Sequence, residues 1–262
     1  MLGYTNHAAA AMRAGQKVTA AWLQAASPIT AEILAQAGFD VLVIDLEHAP
    51  GDIATLIAQI QAMKGERAVP FVRIPGNDPL WIKRVLDAGA YGLVVPSISS
   101  AAEAAAVVRA AKYPPDGERG IAGSPRAASY GKSARDYFAS ANDEVFIFIQ
   151  IETPGGVADL DLILRTPGVD GILIGPMDLA TTHGFIGEPD APEMQEIILD
   201  IERLTIGAGK VLSTVAFDLD DARAKYARGN QLVVLMHDTV TLGKVARQAL
   251  GEIEREFTRS AR

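Results

Sequence analysis

Eight short apolar runs, each followed by an amphipathic segment, recur along this 262-residue chain, and that alternation restricts the fold more than any other feature. The runs are Val18 to Leu23, Val41 to Ile44, Val69 to Val72, Gly92 to Val95, Val145 to Ile151, Gly171 to Ile174, Val211 to Val215 and Leu232 to Leu235. Helical, Ala-rich segments lie between them at Ile29 to Ala37, Ile53 to Met63, Leu80 to Ala88, Ala101 to Lys112, Val157 to Leu164, Glu193 to Ala208, Leu219 to Arg228 and Val240 to Glu256. Helical crossovers return each strand parallel to the last, so strict alternation means a parallel sheet. Eight such units over roughly 250 residues predict an α/β fold of the (β/α)8 TIM-barrel type, one domain over residues 1–262. An open doubly wound sheet is the alternative, but no Gly-rich phosphate loop follows the first run.

Composition excludes several classes. The net charge is −8 and neither Lys nor Arg forms a dense run, so no nucleic-acid partner is expected. No cysteine is present, which removes disulfide frameworks and thiolate metal sites. The first residues, MLGYTNHAAAAMRAGQK, are interrupted by His7, Arg13 and Lys17 before a signal-peptide apolar region can form. The clean apolar runs are strand-sized, so no membrane span is expected, and the reading is a soluble cytoplasmic protein. One connection, Tyr113 to Ala134, exceeds ordinary linker length. In barrel topology it leaves from the face opposite the chain's own site, which suits a surface excursion or an interface loop.

Chemistry in such barrels sits where strands end. The stretch FDVLVIDLEHAPGD, 39–52, passes abruptly from an apolar strand to Asp45, Glu47 and His48. The other strand ends add Trp22, Arg73, Gln150 and Glu152, Asp178, and His237 with Asp238. Glu152 and Asp178 come from adjacent strands, and two carboxylates completed by water or substrate oxygen suit Mg²⁺ or Mn²⁺. Each carboxylate also has a purely structural reading, as a helix cap or a first-turn acid. Arg73 is shaped to clamp a carboxylate, or to pair with Asp45 or Glu47. His48 is a candidate base near neutral pH, against the reading of a solvated loop histidine. Glu47 stands between a supporting contact and a helix-terminal charge. His183 stands between metal ligand and substrate contact, and Asp238 between the mouth and a helix cap.

Lysines are absent from these strand ends. Lys17, Lys64 and Lys210 precede strands, and Lys83, Lys112, Lys225 and Lys244 fall on helices. A Schiff-base mechanism needs a desolvated lysine beside the carbonyl, so carbonyl chemistry here calls for a metal as electron sink. No organic cofactor is expected.

IDLEHAP at 44–50, VRIPGNDPLWIKRVLDAGA at 72–90, YPPDGERG at 113–120, QIET at 150–153 and GPMDLA at 175–180 together resemble the HpcH/HpaI family of metal-dependent aldolases. The agreement runs from about Trp22 to Asp238. The resemblance implies cleavage of 4-hydroxy-2-oxo acids to pyruvate, or a related 2-oxo acid, and an aldehyde. It implies a divalent metal on Glu152 and Asp178, with Co²⁺ or Zn²⁺ as alternatives to Mg²⁺ or Mn²⁺. It makes Arg73 the group that binds the keto oxygen and His48 the base, with Asp87 raising that base's basicity. Gln150, Met177 and Asp178 match pyruvate-contacting positions. It further implies a homo-oligomer, a hexamer, in which the last helix, about 240–256, is swapped between subunits.

Asp87 ends the helix at 80–88, on the barrel face opposite His48 of the same chain. A strand of about five residues at ~3.3 Å each separates the two faces, beyond hydrogen-bond reach. Asp87 is therefore expected to serve a neighbour's His48, and Arg119, Ser124 and Arg126 to approach a neighbour's site, with Asp45 behind Arg73. Leu46 stands where the family most often has glycine, and Met236 and His237 replace small residues before Asp238, which affects the aldehyde half. Two other readings are oxaloacetate decarboxylation or acyl-CoA ester cleavage at the same enolate site, and a barrel that senses a 2-oxo acid without catalysis.

Overall fold

The eight apolar runs close on one another as a parallel barrel in the computed structural model, which describes residues 5–260. Residues 1–4 and 261–262, including the start of the N-terminal stretch read above, lie outside the described residues. The strands are β1 (Val18–Leu23), β2 (Val41–Asp45), β3 (Val69–Arg73), β4 (Gly92–Val95), β5 (Phe146–Ile151), β6 (Gly171–Ile174), β7 (Val211–Val215) and β8 (Leu232–His237). Each pairs with its sequence neighbour, and β1 closes on β8. The expected TIM barrel is the observed one. Three strands run further than expected, to Asp45, Arg73 and His237. At Asp45 and Arg73 the apolar run stops at the first polar side chain, whereas the ladder is made by backbone, and it pairs Asp45 with Arg73 and Trp22 with His237.

The helices are α1 (His7–Arg13), α2 (Pro28–Gln36), α3 (Ile53–Ala62), α4 (Pro79–Ala88), α5 (Ala101–Ala111), α6 (Ala134–Glu144), α7 (Pro154–Ala158), α8 (Leu160–Arg165), α9 (Pro176–Thr182), α10 (Pro192–Gly207), α11 (Leu219–Arg228) and α12 (Asp238–Ser260). Ser27, Asp52, Asp78, Ser100 and Asp218 cap their helices through side-chain oxygens. Three helices escaped the hydrophobic pattern: α1, α6 and α9. The helix expected over 157–164 is two short ones, broken at Asp159, which accepts the Ala101 N–H at 2.6 Å.

The core has two layers. Outside the strands, Leu23, Leu42, Ile44, Val72, Leu93 and Ile149 meet the helices. Inside, Val18, Val43, Phe71, Phe146 and Phe148 fill the barrel. α1 plugs the end where strands begin: its Ala8, Ala9 and Met12 join this inner cluster. Asn6 fixes the plug by donating to the carbonyls of Tyr91 and Glu144, both 3.0 Å.

The long connection is more structured than a surface excursion. It contains a 3₁₀ segment, Arg126–Gly131, and leads into α6. Tyr113, Ala128, Tyr137 and Ala141 form a small core of their own. Arg119 is buried there, lying over the Tyr113 ring at 4.5 Å and bonding Asp87 at 2.7 Å and the Tyr137 hydroxyl at 3.0 Å.

Candidate active site

The strand ends converge on a cavity of about 300 Å³, lined among others by Trp22, Gln24, His48, Arg73, Gln150 and His237. Met177 and Asp178 complete one wall. Arg73 is held at its strand end by two acids. Its Nε and Nη2 bond the two oxygens of Asp45 at 3.0 and 2.6 Å, and its Nε lies 3.2 Å from Glu47. The two readings of Arg73's partner thus hold together. Its plane lies over the Trp22 ring at 4.6 Å, a cation–π contact, and its Nη1 has no hydrogen bond among the described residues. One edge of the guanidinium is clamped and the other is left for a ligand.

Asp45 is fully buried. Burial alone would raise its carboxyl, but the hydrogen bonds and charge of Arg73 lower it to about 2. It also accepts the N–H groups of Glu47 and His48, which fixes the turn carrying the histidine. Glu47 joins the two functional groups. Its Oε2 lies 3.6 Å from His48 Nε2, and burial pushes its carboxyl above the ordinary range against the pull of Arg73. The His48 ring is 57% exposed.

Glu152 follows β5 at once, buried behind the wall that Gln150 forms. Its Oε1 accepts the Ser97 N–H at 2.7 Å and the Ser97 hydroxyl at 3.2 Å, and its Oε2 accepts the Gln150 amide. Ser97 does this with φ +58°, a left-handed conformation costly for a non-glycine residue and found at functional sites. Burial raises the Glu152 carboxyl, and the charge of Asp178 adds to the rise. No basic side chain forms an ion pair with it among the described residues. Among the described residues no cluster of three or more His, Asp or Glu suits a metal. The donor set is two carboxylate residues without a counter-charge, beside a buried Gln150 Oε1 that has no hydrogen bond. That set fits a hard divalent cation whose other ligands are water and substrate oxygens.

The approach to Glu152 depends on Gly175. A Cβ there would lie 2.6 Å from Glu152 Oε2 and 3.0 Å from Gln150 Nε2. Gly175→Ala is therefore expected to displace the carboxylate, with catalytic activity falling on the order of a hundredfold while thermal unfolding moves little. Paired kinetic and melting measurements check this, and unchanged activity would refute it.

Other positions depart from the sequence reading. His183 does not line the cavity, and its Nδ1 bonds the Leu179 carbonyl at 2.8 Å, closing α9. Leu46 is 5% exposed and packs into the outer core. Asp238 accepts from the N–H groups of Gln24 and Ala25 and from the Thr30 hydroxyl, tying β8 to the β1–α2 loop. Asp87 and Ser124 do not line this chain's own cavity. Glu47, left between two readings, supports Arg73 and His48, while Gln24, Ser97 and Gly175 were missed as supporting residues. Only GPMDLA carried a signal, a glycine beside a proposed ligand.

The family described as HpcH/HpaI aldolase/citrate lyase matches residues 19–244. The chain belongs to that family. The 5-keto-4-deoxy-D-glucarate aldolase of Salmonella paratyphi A is 42% identical over 235 residues, 90% of this chain and 91% of the relative. A crystal structure of an HpcH/HpaI aldolase/citrate lyase family protein from Burkholderia cenocepacia superposes with a TM-score of 0.92 at 36% identity, over 95% of this chain and all of that one. The HpcH/HpaI aldolase from Desulfitobacterium hafniense gives 0.87 at 32% identity, over 94% and 95% of the two chains. This HpcH/HpaI chain is an enzyme, a 2-oxo acid aldolase, as the motifs led one to expect. Among the described residues, no helix is long and apolar enough to cross a membrane.

Proposed function

We propose that the enzyme cleaves a 4-hydroxy-2-oxo acid to pyruvate and an aldehyde, and runs the reverse addition, with a divalent cation held by Glu152 and Asp178. The observation that carries this is a half-clamped Arg73 lining one cavity with Asp178 and Gln150, while Glu152, raised by burial and by the charge of Asp178, bonds Gln150 from behind that wall. When bound, the cation supplies Lewis acidity to the 2-oxo group. Arg73 donates from its free edge to the keto oxygen, where negative charge develops. In cleavage His48 removes the C4 hydroxyl proton and the C3–C4 bond breaks. The electron pair moves to the keto oxygen as the enolate of pyruvate, which is then protonated at C3. Gln150 and the first turn of α9, with Met177 and Asp178, orient the carboxylate half. EDTA-sensitive release of pyruvate from a 4-hydroxy-2-oxo acid tests the reading. Activity unaffected by exhaustive chelation would overturn it.

His48 is completed from outside this chain. Among the described residues its ring makes a charged contact only with Glu47, while Asp87 ends α4 where the strands begin and is bonded to Arg119. The base is therefore tuned by Asp87 of the partner subunit. α12 suits the same assembly: Leu242, Val245, Leu250, Ile253 and Phe257 are 50–72% exposed along it, an apolar face for a swapped helix. A closed hexamer satisfies both. His48→Ala and Asp87→Ala enzymes, each nearly inactive alone, are expected to regain activity when unfolded and refolded together, because mixed assemblies contain sites with both residues intact. No recovery, with hexamers formed normally, would rule out the shared site.

A further inference from the structure

We propose that His237 selects the aldehyde half of the substrate, accepting through its Nε2 a hydrogen bond from a hydroxyl group on that half. The inference rests on the aldolase reading and assigns a residue that takes no part in holding pyruvate. His237 ends β8 and lines the cavity together with Trp22 and Gln24 from the β1 side and Val215 from β7. The carboxylates come from β5 and β6, so His237 belongs to a separate wall.

Its orientation and tautomer follow from a chain of contacts. The ring stacks on Trp22, centroids 5.9 Å apart and planes 14° from parallel. Its Nδ1 lies 3.2 Å from Gln24 Oε1, and Gln24 Nε2 donates to Asp45 Oδ2 at 3.2 Å. Asp45 is ionised against Arg73 and only accepts, so the amide must turn its NH₂ to Asp45 and its oxygen to the histidine. An amide oxygen only accepts as well. The proton therefore sits on Nδ1, and the neutral ring keeps a lone pair on Nε2, which has no hydrogen bond among the described residues. Burial, then the charge of Arg73, holds the imidazole below its ordinary pKa and so keeps it neutral. A neutral acceptor fixed in a partly apolar wall favours a hydroxylated aldehyde over its deoxy analogue.

The test is the ratio of kcat/KM for addition of pyruvate to glycolaldehyde and to acetaldehyde, which differ by one hydroxyl. Comparing the ratio between enzymes cancels intrinsic aldehyde reactivity and any general loss of activity. His237→Leu is expected to lower the ratio roughly three- to tenfold, the worth of one neutral hydrogen bond. His237→Gln, whose amide oxygen accepts, is expected to retain part of it. Gln24→Leu, which frees the ring without altering it, is expected to shift the ratio the same way. Wild-type exchange of pyruvate methyl hydrogens with solvent deuterium, together with a ratio unchanged in His237→Leu, overturns the His237 assignment alone. A wild-type enzyme with neither exchange nor addition overturns the aldolase reading and this assignment with it.

Discussion

Replacing Glu152 or Asp178 with alanine is expected to lower kcat/KM for pyruvate release on the order of a thousandfold, about 4 kcal/mol of transition-state stabilisation. In the proposed site each is one of two carboxylates, and among the described residues no cluster of three or more His, Asp or Glu stands in reserve. Stability is expected to move the other way for Glu152. Its carboxyl is raised by burial and by the charge of Asp178, which means that the ionised form is destabilised in the cation-free protein. The sign follows directly. A carboxyl with a raised folded-state pKa costs stability as pH rises above its unfolded value, so Glu152→Ala without added cation should melt no lower than wild type near pH 8. Calorimetric titration with Mn²⁺ separates the two effects: wild type binds and is stabilised, and the variants do neither. Full activity in either variant would end the carboxylate assignment.

The second large effect is at Arg73. Arg73→Ala is expected to lower kcat on the order of a hundred- to a thousandfold, as loss of a single oxyanion donor does. It should also destabilise the fold by about 3–5 kcal/mol, because it strands the buried Asp45 without its partner. Arg73→Lys keeps the charge but not the paired contacts to both Asp45 oxygens, and should recover stability better than activity. The acid limb gives a further signature. Asp45 is depressed from 3.8 to about 2, so its contribution, roughly 2 kcal/mol, is present above about pH 4 and is lost as pH falls towards 2. In Arg73→Ala that limb should disappear, and stability should instead decline as pH rises through the carboxylate range. Urea unfolding from pH 2 to 7 distinguishes these shapes. An unchanged acid limb in the variant would mean that Arg73 is not what depresses Asp45.

Much of this was open to reading in one dimension. Strand alternation is a matter of backbone burial on both faces, and it named all eight strands with four begun and ended at the observed residues. The end positions of a parallel barrel are its reactive positions, so the same alternation pointed to Asp45, Arg73, Glu152 and Asp178. The helices it missed have local reasons. α1 is short and Ala-rich and is stabilised by plugging the barrel, with Ala8, Ala9 and Met12 inside. α6 starts within a segment of mixed polarity and is anchored by Tyr137 and Ala141 in a separate small core.

Hydropathy and strand order thus determined the barrel, the end at which chemistry occurs and the family motifs along it. Only the tertiary structure decided which residues support one another there. Gln24 meets His237 across 213 positions, Ser97 meets Glu152 across 55, and Gly175 makes room for the Glu152 carboxylate from beyond the next strand. The physical reason is that periodicity reports whether a side chain is buried, a property of one residue and its element. A hydrogen-bond partner, a tautomer or a depressed carboxyl is a property of two residues brought together by closure of the barrel, and closure leaves no local trace in the chain.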